Sequence, residues 1–304
     1  MKSYSGYSDA DVAAVTAVLA ELGLTVTLGA NVDQCDSALS SPIAARVADL
    51  HAAYDDPAVH ALFGLAGGSN AIQLLRALDF DKIATHPKIF CGYSDVGTLL
   101  NAIYARTGVV GYYGPNFAGL AGEFGREHTL RALAQCLFED APFVVAASRE
   151  SSVDGAEPQP HDGPFWVTAG NAEGTLLGGS LHSLSALQGT PFFPDLTDSI
   201  LLLESPLQQG KASLAIIDAA IESLMLQPGF SGVHGLVFGR FMPGARITEE
   251  RLCEMLATKP ELADLPVAAG FDFGHTLPRA TLPIGGRGAL EATDGVAQLR
   301  VLQH

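Results

Sequence analysis

The chain is short of charge, above all of positive charge. Only 16% of its 304 residues are charged, and 33 Asp and Glu outnumber 17 Lys and Arg, for a formal net charge of −16. This argues against nucleic acid as a partner, because phosphate contacts need clustered cations. Cysteine is scarce too. Cys35, Cys91, Cys136 and Cys253 stand far apart and form no C-x-x-C pair. That spacing argues against a cysteine zinc site and a disulfide framework, and it fits reduced thiols. No apolar run reaches the length of a membrane span. The N-terminus has no basic segment followed by an apolar one. With Met1 as the start, the expected location is the cytoplasm and no membrane contact is expected. H-E-x-x-H, G-x-G-x-x-G and the phosphate-loop motif are all missing, so no metal and no cofactor is expected.

What remains is apolar residues, at 48%, and 33 glycines. This composition suits an α/β enzyme with many tight turns. The periodicity predicts helices over Asp9 to Leu22, Ile43 to Tyr54, Ala71 to Leu78 and Thr129 to Phe138. Strands are predicted over Leu24 to Leu28, Val59 to Leu65, Ile89 to Cys91 and Val109 to Tyr113. Alternation of this kind implies a largely parallel sheet with ligands at the carboxyl ends of its strands. Proline, serine and glycine then break the pattern, so residues 141–164 are read as a linker between domains at 1–140 and 165–304. In the second domain the apolar runs Ile200 to Leu203, Gly235 to Gly239, Leu265 to Ala269, Thr281 to Ile284 and Gln298 to Leu302 read as strands. Leu181 to Leu187, Ala212 to Leu226 and Glu249 to Leu256 read as helices.

The rest of the chain is organised around Lys88 to Leu100. An apolar strand turns sharply at Gly92 and becomes a helix with Leu99, Leu100, Ile103 and Tyr104 on one face. Ser94 sits at the switch. A serine there stands clear of the backbone, beside the unpaired N–H groups of a helix start, in the manner of a nucleophile elbow. Ser94-Asp95 also suits a plain helix cap, and Val96 departs from G-x-S-x-G. Gly67-Gly68 follows the preceding strand. It supplies either turn freedom or a backbone N–H for an oxyanion.

A serine nucleophile needs a base, and the base needs an orienting carboxylate. Among nine histidines, His275 follows a buried strand on the turn Asp272-Phe273-Gly274, where catalytic groups often stand. A surface histidine is the plain alternative, and His182 and His128 compete as bases. Glu204 ends the apolar run from Ile200. It is either a solvated strand end or the carboxylate that fixes a histidine tautomer.

Seven separated segments then occur in an order similar to that of the LD-carboxypeptidase family, which includes the microcin C self-immunity peptidases. They are Gly67-Gly68 with Leu74-Leu75 and Leu78-Asp79-Phe80, Pro87 to Asp95, Thr107-Gly108 with Tyr113-Gly114-Pro115, Glu173-Gly174 with Gly178-Gly179, Gly189-Thr190-Pro191, Ile200 to Glu204, and Gly274-His275-Thr276 with Thr281 to Gly285. The resemblance implies a parallel-sheet α/β N-terminal domain of class I glutamine amidotransferase type and a smaller C-terminal α/β domain. It implies a triad of Ser94, Glu204 and His275, with oxyanion donors at Gly68 (or Gly67) and Asp95. It also implies a homodimer without metal.

Three positions depart from the family's pattern. Met1 to Ser8 holds no opening apolar strand, Ser180 replaces an asparagine after the glycine pair, and Trp166 is the only tryptophan. The expected activity is that of a serine carboxypeptidase acting before the terminal D-amino acid of murein tetrapeptides, in murein recycling. The alternatives are cleavage of aminoacyl-nucleotide amides, as in microcin C immunity, and an inactive ligand-binding protein on the same fold.

Overall fold

The computed structural model describes residues 8–36, 40–122, 124–153 and 155–304. The expectation about Met1 to Ser8 therefore lies outside the described residues except at Ser8, which caps the first helix.

The first half builds a small sheet. In chain order come α1 (Asp9–Glu21), α2 (Ile43–Asp55), β1 (Ala61–Phe63), α3 (Phe80–Thr85), β2 (Ile89–Gly92), α4 (Val96–Thr107), β3 (Gly111–Tyr113) and α5 (Arg126–Phe138). β1, β2 and β3 run parallel. α4 ends at Gly108, whose φ of 72° gives the left-handed cap that stops a helix.

Two predicted elements differ. Leu24 to Leu28 forms no strand: β1 ends its sheet, and the segment does not pair with it. Leu24 and Val26 pack instead on a small cluster with Val15, Leu19, Phe117 and Leu120. The helix expected over Ala71 to Leu78 is a 3₁₀ turn at Ala71–Leu74 followed by α3. Asp79 separates the two, because its side chain accepts the Lys82 N–H at 2.9 Å and starts a new helix.

The second half continues with β4 (Phe143–Val144), β5 (Glu150–Ser151), β6 (Gln159–Pro160), β7 (Phe165–Thr168), β8 (Ala172–Ser180), α6 (Leu181–Leu187), β9 (Ser199–Glu204), α7 (Lys211–Met225), β10 (Val233–Gly239), α8 (Glu249–Ala257), β11 (Val267–Phe271), β12 (Leu282–Ile284), β13 (Arg287–Thr293) and β14 (Val296–Gln303). Its sheet has the order β4-β14-β13-β8-β9-β10-β11-β7, with β8 to β11 parallel. All six residues of β9 are buried, as a parallel strand covered on both faces requires. Eight strands here against four in the first sheet reverse the expectation that the second unit is the smaller, as far as the sheets are concerned.

The halves are stitched together. β12 leaves the second half and pairs antiparallel with β3, and one hydrophobic cluster runs through both sheets. The carboxyl ends of β2, β9 and β11 lead into Ser94, Glu204 and the loop of His275.

Candidate active site

β2 delivers the chain to Ser94, which has a φ of 61°. A non-glycine residue in the left-handed region carries strain of about 1–3 kcal/mol and persists only where its surroundings hold it. The holding groups are explicit. The Tyr93 N–H donates to Asn116 Oδ1 at 3.1 Å, and the Ser94 N–H donates to the Tyr113 hydroxyl at 3.1 Å. The Ser183 hydroxyl donates to the Ser94 carbonyl at 2.8 Å.

Asp95 occupies the helix-cap position of α4, yet its side chain caps nothing there. Its Oδ2 accepts the N–H groups of Asn70 and Ala71, both at 2.8 Å. The carboxylate thus ties the double-glycine turn to the elbow. A Cβ on Gly67 would lie 3.0 Å from both Cβ and Oγ of Ser94, tighter than an ordinary contact, so glycine eases this close approach. Among the described residues, the N–H groups of Gly67, Gly68 and Asp95 donate to no acceptor in the protein. The Ser94 N–H is already engaged by Tyr113.

The other half of the site comes from the second sheet. His275 Nε2 stands 3.1 Å from Ser94 Oγ, and Nδ1 stands 2.7 Å from Glu204 Oε2. Glu204 is fully buried, while 16% of the His275 side chain is exposed. An ionised carboxylate only accepts, so Nδ1 carries the proton and Nε2 offers its lone pair to the serine hydroxyl. The second carboxylate oxygen, Oε1, accepts from the Tyr113 hydroxyl at 2.6 Å.

The loop before His275 is packed tightly. Gly274 has a φ of 98°, and a Cβ there would meet Glu204 Oε2 at 2.6 Å. Buried Arg279 donates through Nε to the Gly274 carbonyl at 2.8 Å. Its guanidinium lies 4.4 Å over the Tyr93 ring, which meets the His275 ring edge-on at 5.0 Å.

Behind the loop, Asp272 and Arg240 form a buried ion pair at 2.5 Å. Burial pushes the Asp272 carboxyl up to about 6, with Arg240 pulling the other way. Arg240 also donates to the carbonyls of Ser148 and Glu150, at 2.8 and 3.2 Å. The Ser152 N–H donates to the Leu277 carbonyl at 3.0 Å. The segment between the two sheets is therefore anchored on both sides of His275.

The structure thus brings Ser94, Glu204, His275, Gly67, Gly68 and Asp95 together. His128 instead stands 3.7 Å from Asp272, and His182 is exposed on α6. Tyr113, Asn116 and Arg279 are supports that reading the sequence missed. Tyr113 and Asn116 lie in Tyr-Tyr-Gly-Pro-Asn, a short run between two loops whose polar atoms had no visible partner.

Comparison with known proteins gives the class first. Two family models match, one described as the LD-carboxypeptidase N-terminal domain over residues 2–114 and one as the LD-carboxypeptidase C-terminal domain over residues 173–290. Both describe a peptidase, that is, a hydrolase. The chain belongs to the LD-carboxypeptidase family.

Three solved structures place it among its relatives. An MccF-like protein from Bacillus anthracis str. Ames is 39% identical with a TM-score of 0.96, over 99% of this chain and 94% of that one. The microcin C7 self-immunity protein MccF, solved with aspartyl sulfamoyl adenosine, is 25% identical with a TM-score of 0.83, over 97% of this chain and 91% of that one. A muramoyltetrapeptide carboxypeptidase from Oxalobacter formigenes is 26% identical with a TM-score of 0.78, over 98% and 96%. Among the described residues no helix is long and apolar enough to cross a membrane.

Proposed function

We propose that this chain is a serine carboxypeptidase whose triad is Ser94, His275 and Glu204, assembled between units at residues 1–140 and 165–304 with 141–164 as the linker. One observation carries the proposal: Ser94 Oγ, His275 and Glu204 Oε2 form an unbroken hydrogen-bonded line at 3.1 and 2.7 Å. Ser94 Oγ attacks the carbonyl carbon while its proton passes to His275 Nε2. Glu204 holds the imidazole in the required tautomer and stabilises the imidazolium. The oxyanion that forms lies between the free N–H groups of Gly68, or Gly67, and Asp95. His275 returns the proton to the leaving nitrogen, the C–N bond breaks, and an ester to Ser94 remains. A water then gives its proton to His275 and attacks the ester carbonyl; the C–Oγ bond breaks, Ser94 Oγ takes the proton back from His275, and the acid leaves.

The proposed substrate is the L,D-peptide bond before the terminal D-amino acid of murein tetrapeptides. The muramoyltetrapeptide carboxypeptidase among the similar structures supports it. A second reading rests on the higher TM-scores of the MccF-like protein and of MccF with its aminoacyl-nucleoside ligand. It is cleavage of an aminoacyl-nucleotide amide by the same triad. A cytoplasmic homodimer belongs to the same proposal, with sedimentation velocity to read its mass.

The substrate is tested by incubating wild type and Ser94→Ala with a murein tetrapeptide and, separately, an aminoacyl sulfamoyl adenosine. Release of terminal D-Ala by wild type alone supports the first reading. Cleavage of the nucleoside conjugate alone replaces it with the second.

A further inference from the structure

The hydrogen bonding around Ser94 does not stop at the triad. It continues through Tyr113, the strand residue that opens the segment Tyr113-Gly114-Pro115. Tyr113 is 1% exposed and ends β3, where it pairs in register with Gly92 of β2 and with Leu282 of β12. Neighbours on both sides fix its backbone. Its ring lies against Gly179 so closely that a Cβ there would meet Cε2 at 2.5 Å. The hydroxyl therefore has little freedom to move.

The direction of each bond follows from the donors available. The Ser94 N–H can only donate, so the phenol oxygen accepts it at 3.1 Å. The phenol's own proton then goes to Glu204 Oε1 at 2.6 Å. Burial, with the Glu204 charge beside it, pushes the phenol's ionisation well above its ordinary range, so it stays a donor. The network runs from the Ser94 N–H to Tyr113, to Glu204, to His275 Nδ1–H, and from Nε2 back to Ser94 Oγ. It is a closed ring that starts and ends on one residue.

Two consequences follow for the chemistry. A carboxylate held through one oxygen can rotate about its last bond. Held through both, by groups from different sheets, it presents one oxygen to His275 in one orientation. The strained Ser94 backbone has its N–H engaged, which keeps that group out of the oxyanion site and holds the elbow at φ 61°.

We propose that Tyr113 is a positioning residue for this site: its hydroxyl fixes the unreactive oxygen of Glu204 and the backbone of Ser94 together, so that base and nucleophile are set by one group. The inference rests on the triad reading above.

The test uses the full chain and a fluorophosphonate probe, whose reaction with a serine nucleophile needs no knowledge of the substrate. The probe's saturation constant and limiting rate are measured for wild type, Tyr113→Phe, Glu204→Gln and the double variant. Tyr113→Phe keeps the ring and removes only the hydroxyl. The expected result is a limiting rate about 10- to 100-fold lower, the loss of one hydrogen bond to a charged group. The saturation constant should stay within about twofold. In the Glu204→Gln background the same change should cost several-fold less than in wild type, because one of the two partners through which it acts is already altered while the bond to the Ser94 N–H remains.

A Tyr113→Phe rate equal to wild type, or a full and independent loss in both backgrounds, overturns the inference while leaving the triad standing. No labelling of wild type, or full-speed labelling of Glu204→Gln, overturns the triad reading itself. Should Tyr113→Phe not fold, the link is read in the wild type by proton NMR. A slowly exchanging Tyr113 hydroxyl proton, shifted in Glu204→Gln, supports it, and a hydroxyl proton exchanging freely with water overturns it.

Discussion

The site has two sides that are held in opposite ways. On the first sheet, Ser94 is kept in place by strain: a left-handed backbone clamped by Asn116, Tyr113 and Ser183. On the second, Glu204 and His275 are kept in place by burial, with a fully enclosed carboxylate at the end of an apolar strand and a loop packed behind it. A strained nucleophile stays exposed enough to react but costs stability. A buried carboxylate is stable only while every oxygen has a partner. Activity and stability should therefore part company at Ser94 and travel together at Glu204.

The largest expected effect tests the shared chemistry of the two sides. On the proposed triad, Ser94→Ala should lower kcat by roughly 10⁵-fold and Glu204→Gln by about 10⁴-fold, since members of such a triad act as one unit. Steady-state hydrolysis of whichever substrate is turned over reads both. A loss under tenfold for either would remove that side from the mechanism.

Stability then separates the sides. Glu204→Ala strands the Tyr113 hydroxyl and His275 Nδ1–H in the interior and should cost about 2–3 kcal/mol in urea unfolding. Gly274→Ala should cost about 2 kcal/mol, from its φ of 98° and the clash with Glu204. Ser94→Gly should instead be more stable than Ser94→Ala by about 1 kcal/mol, because glycine relaxes a left-handed position. Equal stability of those two variants would mean that no strain resides at the elbow.

The smallest effect concerns the linker. His161 Nδ1 accepts the Gly163 N–H at 2.8 Å, which needs a neutral ring. Burial, with Arg240 nearby, pushes His161 down to about 4. A folded value below the unfolded one, about 6.5, means that His161 supports the fold above pH 6.5 and that the support is lost as pH falls toward 4. His161→Asn should therefore lose less melting temperature than wild type between pH 7 and pH 5. An unchanged difference would show that His161 titrates freely.

Much of this was legible in the residues. The apolar runs into Ser94 and Glu204 marked two strand ends, and the alternation of elements predicted the parallel run of the first sheet. The seven ordered segments hold all six residues of the proposed site. What stayed hidden was whatever depends on pairing across the chain. Leu24 to Leu28 alternates like a strand, but a strand needs a neighbour. β13 and β14 form a hairpin around Asp294-Gly295, both at positive φ. That dipeptide is a strong turn signal, yet only the second strand was read. Tyr113 meets Glu204 across 91 residues, and no local pattern carries that contact. The size of the second sheet was hidden for the same reason, since β4 and β13 join it only through antiparallel pairing.

The most direct test of the account is peptide mapping by mass spectrometry after fluorophosphonate treatment. A single adduct on Ser94 is predicted, absent in Ser94→Ala and strongly slowed in His275→Ala. An unmodified protein, an adduct elsewhere, or undiminished labelling of His275→Ala would contradict it.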